Sequence, residues 1–253
     1  MRYFLLIIVV LSSCNLDIDN EMPIIEKVTV NDITLPKGFT VSKLYEPTDY
    51  EQGSWVSFTK DDKGNFFASD QFGSIYKATL KKSGDKDSLH VKELNLNIGL
   101  AQGLLFHNNE LFALVNSYDE KIKSGLYKVI DSNKDGELDT VKTLKTVTGN
   151  GEHGPHNIVL APDGKSMYMV FGNHTDIPSD VRSRVPEVWG EDNLLPVIKD
   201  PSGHANSRKA PGGWVAQTDF EGLDWTLIAV GTRNTFDIAF NRDNELFGFD
   251  SDM

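Results

Sequence analysis

The sequence predicts an all-β fold, a β-propeller built of four-stranded blades. A short apolar run, a turn rich in Asp, Asn and Gly, and a second apolar run recur along the chain, which is the pattern of a β-hairpin. The first three hairpins are about 50 residues apart, close to the length of one propeller blade, and the interval to the fourth is longer. After the N-terminal apolar run the sequence contains no amphipathic helix pattern.

The N-terminus has the pattern of an exported lipoprotein. Arg2 precedes an apolar run that is too short for a spanning helix, which needs about 20 apolar residues. The run ends in Leu11-Ser-Ser-Cys14, which resembles the bacterial lipobox. Residues 1–14 are therefore predicted to be a signal peptide, with Cys14 lipidated and residues 15–30 forming a tether. The alternative is an ordinary signal peptide with an incidental cysteine. Either way we expect the mature protein outside the cytoplasm, and a lipid would anchor it in the cell envelope.

Charge and cysteine content exclude several classes of protein. The formal net charge of -12 argues against nucleic-acid binding, which needs clustered Lys and Arg. A single cysteine excludes an internal disulfide and a zinc cluster of cysteines. The same acidity suits calcium sites.

The propeller pattern occupies residues 31–253. Its hairpins pair residues 56–58 with 66–67, 104–106 with 111–112, 158–160 with 167–171, and 238–240 with 246–247. Further strand patterns at 74–80, 125–130, 214–218 and 226–230 would complete four-stranded blades. The turn Pro162-Asp163-Gly164 combines a fixed φ, a side chain that bonds its own backbone and a glycine that tolerates positive φ.

The pattern contains about four blade starts. A six-bladed propeller would need roughly 80 to 100 further residues at this period. We therefore expect an incomplete propeller, about four blades of six, truncated after Met253; a complete, smaller closure is the alternative. The aperiodic segment 173–212 is expected to border a functional site, because long loops in compact domains are usually functional or disordered.

An acidic loop follows the strand pattern 125–130. Its oxygen-bearing residues stand at positions suited to a hard cation: Asp131, Asn133, Asp135, Glu137 and Asp139, with Gly136 at the sixth position. An EF-hand would have Glu at position 12, where this chain has Lys142, and the flanks look like strands. The loop is therefore predicted to be a calcium-binding hairpin in which Glu137 contributes its backbone carbonyl. A metal-free acidic turn is the alternative.

Two polar clusters precede apolar strands. His153 and His156 lie before the third hairpin, and imidazole can abstract a proton near neutral pH. Such a pair can equally be a structural hydrogen-bonding group or a metal site. Arg233 and Asn234 lie at the matching point of the next blade, where Arg can clamp a carboxylate and Asn can donate to a quinone oxygen. Alternatively, they satisfy loop carbonyls.

Together these features resemble the glucose/sorbosone dehydrogenase family, whose members are propellers dependent on pyrroloquinoline quinone (PQQ). The resemblance rests on His156 before its hairpin, on Gly-Gly-Trp-Val at 212–215, and on Gly-x-Arg-Asn at 231–234 followed by Asp-Ile-Ala-Phe. It covers most of residues 35–253. Where the family has Arg-Asn-Pro-x-Gly, this chain has Arg-Asn-Thr-Phe-Asp.

The resemblance implies a site and an activity. His156 would be the catalytic base, Arg233 and Asn234 would hold and polarise the quinone, and Gln102 would also contact it. The protein would then be a quinone-dependent oxidoreductase that oxidises a sugar or related alcohol or aldehyde, with PQQ and calcium as cofactors. The alternatives are a calcium-dependent lactonase-type hydrolase and a non-catalytic propeller that binds carbohydrate or protein at the surface.

Overall fold

Strands make up nearly all the regular structure that the described residues form. The computed structural model describes residues 27–30, 32–84, 86–187 and 211–251, with one 3₁₀ helix at Pro47–Tyr50. A first unit, residues 1–43, contains the hairpin β1 (Lys27–Val30) and β2 (Ile33–Pro36). A second unit begins at Leu44 and contains the strands that follow β2. None of the described residues form a helix long and apolar enough to cross a membrane.

The second unit consists of successive antiparallel sheets. The first sheet contains β3 (Trp55–Lys60), β4 (Phe66–Asp70), β5 (Ile75–Ser83) and β6 (Lys86–Glu93), and the second contains β7 (Ala101–His107), β8 (Glu110–Val115), β9 (Gly125–Ile130) and β10 (Thr140–Thr146). The third contains β11 (Pro155–Leu160), β12 (Met167–Phe171), β14 (Gly213–Thr218) and β15 (Thr226–Thr232), with the short β13 (Arg182–Ser183) parallel to β15 at its outer edge. A hairpin of β16 (Thr235–Phe240) and β17 (Leu246–Asp250) follows.

The first strands of these sheets lie side by side, in the order β3, β7, β11 and β16. The amide of Leu104 on β7 donates to Ser57 Oγ on β3 at 2.8 Å. On its other side β7 approaches β11 so closely that a Cβ on Gly103 would lie 2.9 Å from Asn157 Cα. The side chain of Asn157 in turn donates to Asp237 on β16. This arrangement is that of inner strands in neighbouring propeller blades.

Apolar layers fill the space between the sheets, and β8 shows how the sequence builds them. Its side chains alternate: Leu111, Ala113 and Val115 pack toward the first sheet, and Phe112 and Leu114 pack toward the third. All five are fully buried. A strand covered on both faces reads as a continuous apolar run, which is what this sequence has.

The all-β prediction is confirmed, and the architecture is propeller-like. The predicted hairpins form at the predicted residues; in the third one, the amide of Gly164 donates to Ala161 O at 2.9 Å and Gly164 has φ of 67°. The aperiodic segment is described only up to Glu187, where it follows the outer edge of the third sheet, and residues 188–210 lie outside the described residues. The number of blades and the closure remain predictions.

Candidate functional site

A β-bulge occurs near the start of each of the four inner strands, β3, β7, β11 and β16. The pairing register of each strand skips its second residue, which makes a β-bulge. The skipped residues are Val56 on β3, Gln102 on β7, His156 on β11 and Phe236 on β16. A bulge frees a residue from the ladder and turns its side chain in a new direction. Because the strands are neighbours, the bulges gather Gln102, His156 and Phe236 at one end of the sheets.

His156 forms a direct hydrogen bond with Asn234, which is 78 positions away in the sequence. The distance from His156 Nε2 to Asn234 Oδ1 is 2.6 Å, and both residues are buried. An amide oxygen can only accept, so Nε2 carries the proton in this pairing and Nδ1 holds the lone pair. The ring of Phe236 packs against the imidazole at 5.2 Å between centroids.

The carboxylate of Asp250 positions Asn234. It accepts the amide of Asn234 at 2.8 Å, the amide of Arg233 at 3.0 Å and the hydroxyl of Thr235 at 3.2 Å. Gly172, which follows β12 in the third sheet, lies directly against Asn234. A Cβ on Gly172 would lie 2.6 Å from Asn234 Oδ1 and 2.5 Å from His153 O. The backbone around the pair is therefore closely packed.

A cavity of about 510 Å³, which we call the His156 cavity, lies beside this pair. It is lined by the amide side chains of Gln71, Gln102, Asn116 and Asn234, together with His156, Glu152, Gly151 and Ser251. Four aromatic residues complete the lining, each more than half exposed: Phe72, Tyr118, Phe236 and Phe249. Such a mixture of flat rings and a few polar groups is typical of small-molecule sites.

The two histidines of the motif have different surroundings. Burial lowers the pKa of His156, partly offset by the hydrogen bond to Asn234, and His153 lowers it further. Burial also lowers the pKa of His153, whose Nδ1 lies 2.7 Å from Asn173 Oδ1 and whose ring stacks on His174 at 4.6 Å. Both rings are therefore neutral near pH 7, but only His156 lines the cavity.

Gln102 and Arg233 occupy different positions relative to the cavity. Gln102 lines it, and its amide donates to Gln71 O at 3.3 Å. The guanidinium of Arg233 donates to the carbonyl of Ser251, a lining residue, at 3.2 Å, but Arg233 itself is not among the lining residues. The structure thus brings three of the predicted residues, Gln102, His156 and Asn234, to one cavity and places Arg233 at its edge.

Asn116, a further lining residue, was not among the residues predicted from the sequence, and it holds the loop that leads to His156. Its Nδ2 donates to Gly151 O and its Oδ1 accepts from Gly151 N, both at 2.8 Å, and the side chain is buried. A polar residue at or just after the end of a hairpin's second strand recurs as Asp70, which accepts the amide of Gly53 at 2.7 Å, and as Asp250. That repeated position was the available signal.

The lining residues fit the carbonyl end of a quinone such as PQQ. Asn234 Nδ2 has no hydrogen-bond partner among the described residues and belongs to a residue that lines the cavity, so this amide can donate to a ligand oxygen while its Oδ1 holds His156. The carboxylates of PQQ need cations, however, and the described lining contains one acidic side chain, Glu152, and no Lys or Arg. Arg233 at the edge is the nearby cation.

The predicted calcium loop lies elsewhere and is closed by its own hydrogen bonds. Asp131 accepts the amides of Asp135 and Gly136 at 3.1 and 2.7 Å, and the Glu137 carboxylate pairs with Lys77 and Lys92 at 3.2 and 2.9 Å. Among the described residues no three His, Cys, Asp or Glu side chains converge as metal ligands. The Glu137 carboxylate is engaged by the two lysines, and a cation contact through its backbone carbonyl stays a prediction. Binding by Asp131, Asn133, Asp135, Glu137 and Asp139 stays a prediction.

Of three comparisons with known proteins, one finds similar structures. A scan against family models and a search of curated proteins find no match. Among solved structures, the holo form of the PQQ domain of pyranose dehydrogenase from Coprinopsis cinerea has a TM-score of 0.52 at 14% identity, covering 89% of this chain and 48% of that one. PQQ-bound aldose sugar dehydrogenase from Streptomyces coelicolor gives 0.48 at 15% identity, covering 78% and 56%.

A third similar structure is the calcium structure of carbohydrate-active enzymes family AA12 from Trichoderma reesei, with a TM-score of 0.44 at 15% identity, covering 74% of this chain and 44% of that one. This chain spans about half the length of the structures it matches. At these identities the similarity establishes the fold alone, which is like that of a PQQ-dependent dehydrogenase domain.

Proposed function

We propose that the His156 cavity is the reaction site of a quinone-dependent oxidoreductase that oxidises a sugar or a related alcohol or aldehyde. The observation that carries this proposal is the hydrogen bond between His156 and Asn234, which joins a neutral base to an amide at the wall of a cavity of about 510 Å³. The fold similarity to a PQQ domain supports it. Sugar substrates suit a lining of amides and exposed rings.

His156 acts as the general base in this proposal. Because burial lowers its pKa, the ring is neutral and can accept a proton from a substrate hydroxyl near pH 7. Asn234 holds the proton on Nε2 and so leaves the lone pair on Nδ1. Phe236 packs on the imidazole and restricts its rotation.

PQQ, when bound, supplies the acceptor for the hydride that leaves the substrate carbon. Asn234 and Gln102 would hold its carbonyl oxygens with their amide groups, and Arg233 would contribute positive charge from the cavity edge. Asp250 keeps Arg233 and Asn234 in place through their backbone amides. Calcium, in the proposal, binds the loop 131–139 and stabilises the second sheet.

The proposal places this reaction outside the cytoplasm. Residues 1–14 would direct export, residues 15–30 would form a tether, residues 31–253 would belong to the propeller, and Cys14 would carry the lipid. Mass spectrometry of the mature protein tests this part: a lipidated N-terminal Cys14 supports it, and an unmodified Cys14 or cleavage after it contradicts it.

The central test combines cofactor titration with turnover. The full chain is titrated with PQQ in the presence of calcium while absorbance is followed, and sugar oxidation is then measured with an artificial electron acceptor. His156→Gln should lower kcat by about 10²- to 10⁴-fold and leave PQQ affinity nearly unchanged, because it removes only the base. His90→Gln is the matched control, since His90 lies exposed on β6. Wild-type turnover by His156→Gln would exclude the general-base role.

Arg233→Ala should have the opposite effect. It removes a charge-assisted contact to the cofactor, so PQQ affinity should fall by about tenfold before turnover of the saturated enzyme changes. Arg242→Ala is a suitable control, because Arg242 lies in the exposed turn between β16 and β17. Unchanged PQQ affinity in Arg233→Ala would remove Arg233 from the cofactor site.

A further inference from the structure

A second cavity of about 440 Å³ lies next to the His156 cavity. We call it the neighbouring cavity, and it is formed by the loop after β8 together with the end of β10 and the loop that follows. Its polar lining includes Asp119, Glu120, Lys123, Thr146, Thr148 and Asn150. Hydroxyl, carboxylate, ammonium and amide groups therefore surround it on two sides.

Tyr118 lies between the two cavities and lines both. Its ring is 65% exposed, and its hydroxyl lies over the loop that leads to His156, where a Cβ on Gly151 would come within 2.9 Å of Tyr118 Oη. Because Gly151 has no Cβ, its backbone can pass this close to the ring, and its φ of 89° is one that other residues rarely adopt. Gly149 and Asn150 line the neighbouring cavity, and Gly151 lines the His156 cavity, so one short segment separates the two.

We propose that the neighbouring cavity is a subsite for a second sugar unit, so that the substrate is a disaccharide or a longer oligosaccharide. Resting on the proposed function, this inference puts the sugar unit that is oxidised beside His156 and the next unit beyond Tyr118. The exposed ring offers an apolar face to the C–H groups of a sugar, and the carboxylates and amides pair with its hydroxyls. Two linked sugar units could occupy the two cavities at once, because the cavities are adjacent and share Tyr118 as a lining residue.

Binding measurements without PQQ test the subsite independently of catalysis. Calorimetric titration of the full chain with glucose, maltose and cellobiose should show at least one disaccharide binding about tenfold more tightly than glucose. Tyr118→Ala should remove this preference. Tyr50→Ala, which alters a tyrosine that is 62% exposed and belongs to neither lining, should retain it. Equal affinities in the wild type, or a preference that survives Tyr118→Ala, would overturn the subsite.

A second variant guards against misfolding of Tyr118→Ala. Thr148→Arg fills the neighbouring cavity and should likewise reduce the ratio of disaccharide to glucose affinity, whereas Thr143→Arg on the exposed face of β10 should not. A ratio unchanged by Thr148→Arg in a folded protein also overturns the proposal. Melting curves establish that each variant is folded.

Turnover then separates the two proposals. With PQQ and calcium present, the ratio of kcat/KM for the disaccharide over glucose should follow the ratio of affinities in every variant. If the wild type oxidises glucose but shows no disaccharide preference, the subsite fails and the proposed function stands. If disaccharides bind with the predicted preference but no sugar is oxidised, the proposed function fails and the subsite stands.

Discussion

The His156 cavity and the acidic loop 131–139 differ in how their polar groups are held. In the cavity, His156 is bonded to Asn234 across 78 positions, and both side chains are buried. In the acidic loop, Asp131 and Asp135 bond to backbone amides within five positions of themselves, and these bonds are exposed. The first arrangement exists only in the folded protein. The turn bonds of Asp131 and Asp135 need little beyond the loop, although Glu137 also pairs with Lys77 and Lys92 of the first sheet.

This difference separates a tertiary site from a local one. A buried hydrogen bond between distant residues depends on every element that positions them, here two bulged strands and the Asp250 carboxylate. An exposed turn that bonds to itself loses little when its neighbours move, because water replaces its bonds. Substitutions should therefore lower the free energy of unfolding more at the cavity than in the loop.

The largest contrast should come from two glycines. Gly172→Ala places a Cβ within 2.6 Å of Asn234 Oδ1 and 2.5 Å of His153 O, and it should lower the free energy of unfolding by about 3 kcal/mol. Gly136→Ala in the acidic loop meets nothing within 4 Å, and its φ of 94° should cost about 1 kcal/mol. Urea unfolding measures both variants. Equal losses would contradict the contrast.

A change of charge beside His156 should shift the pH dependence of turnover. Turnover needs neutral His156, so it is present above the pKa of His156 and lost as pH falls through it. Asn234→Asp puts a carboxylate beside the imidazole, which stabilises the protonated form and raises the pKa of His156. The acidic limb of kcat/KM should therefore move to higher pH. Asp243→Asn in an exposed turn is the control, and an unmoved limb in Asn234→Asp would contradict the assignment.

The His156 cavity and the acidic loop should also lose their contributions to stability at different pH values. Burial holds the pKa of His153 and His156 below that of histidine in an unfolded chain, so the unfolded state takes up protons first below about pH 6.5. Their contribution to stability is thus present above about pH 6.5 and lost below it. The Lys92 contact lowers the pKa of Glu137, so the acidic loop should contribute losses only below about pH 4. Urea unfolding between pH 7 and 3 tests this, and constant stability from pH 7 to 5 would contradict it.

The smallest effect should come from the acidic loop alone. If the loop binds calcium, Asp131→Ala combined with Asp135→Ala should abolish the loss of melting temperature that a chelator causes, a shift of a few degrees. Asp87→Ala combined with Asp243→Ala, at exposed positions outside the loop, is the matched control. Unchanged calcium stoichiometry and chelator sensitivity in the loop variant would make the loop an acidic turn only.

The hairpins could be predicted because their determinants are local. Alternating apolar residues and a turn such as Pro162-Asp163-Gly164 act within a few positions, and the strands on both sides form where the pattern placed them. The structure brings Gln102, His156 and Asn234 to one cavity and leaves Arg233 at its edge. The roles of these residues remain the proposals to be tested.

The sequence by itself determined the strands and the turns, because apolar runs and turn residues act over a few positions. The continuous apolar run of β8, for example, matches a strand that is buried on both faces. Only the tertiary structure decided where the side chains point at the ends of those strands. Bulges at Gln102, His156 and Phe236 depend on how neighbouring sheets pack, and the contacts of Asn116 and Asp250 bridge separate loops. A sequence pattern reports periodicity along the chain, whereas this site depends on contacts between residues that are far apart in the sequence, such as His156 and Asn234.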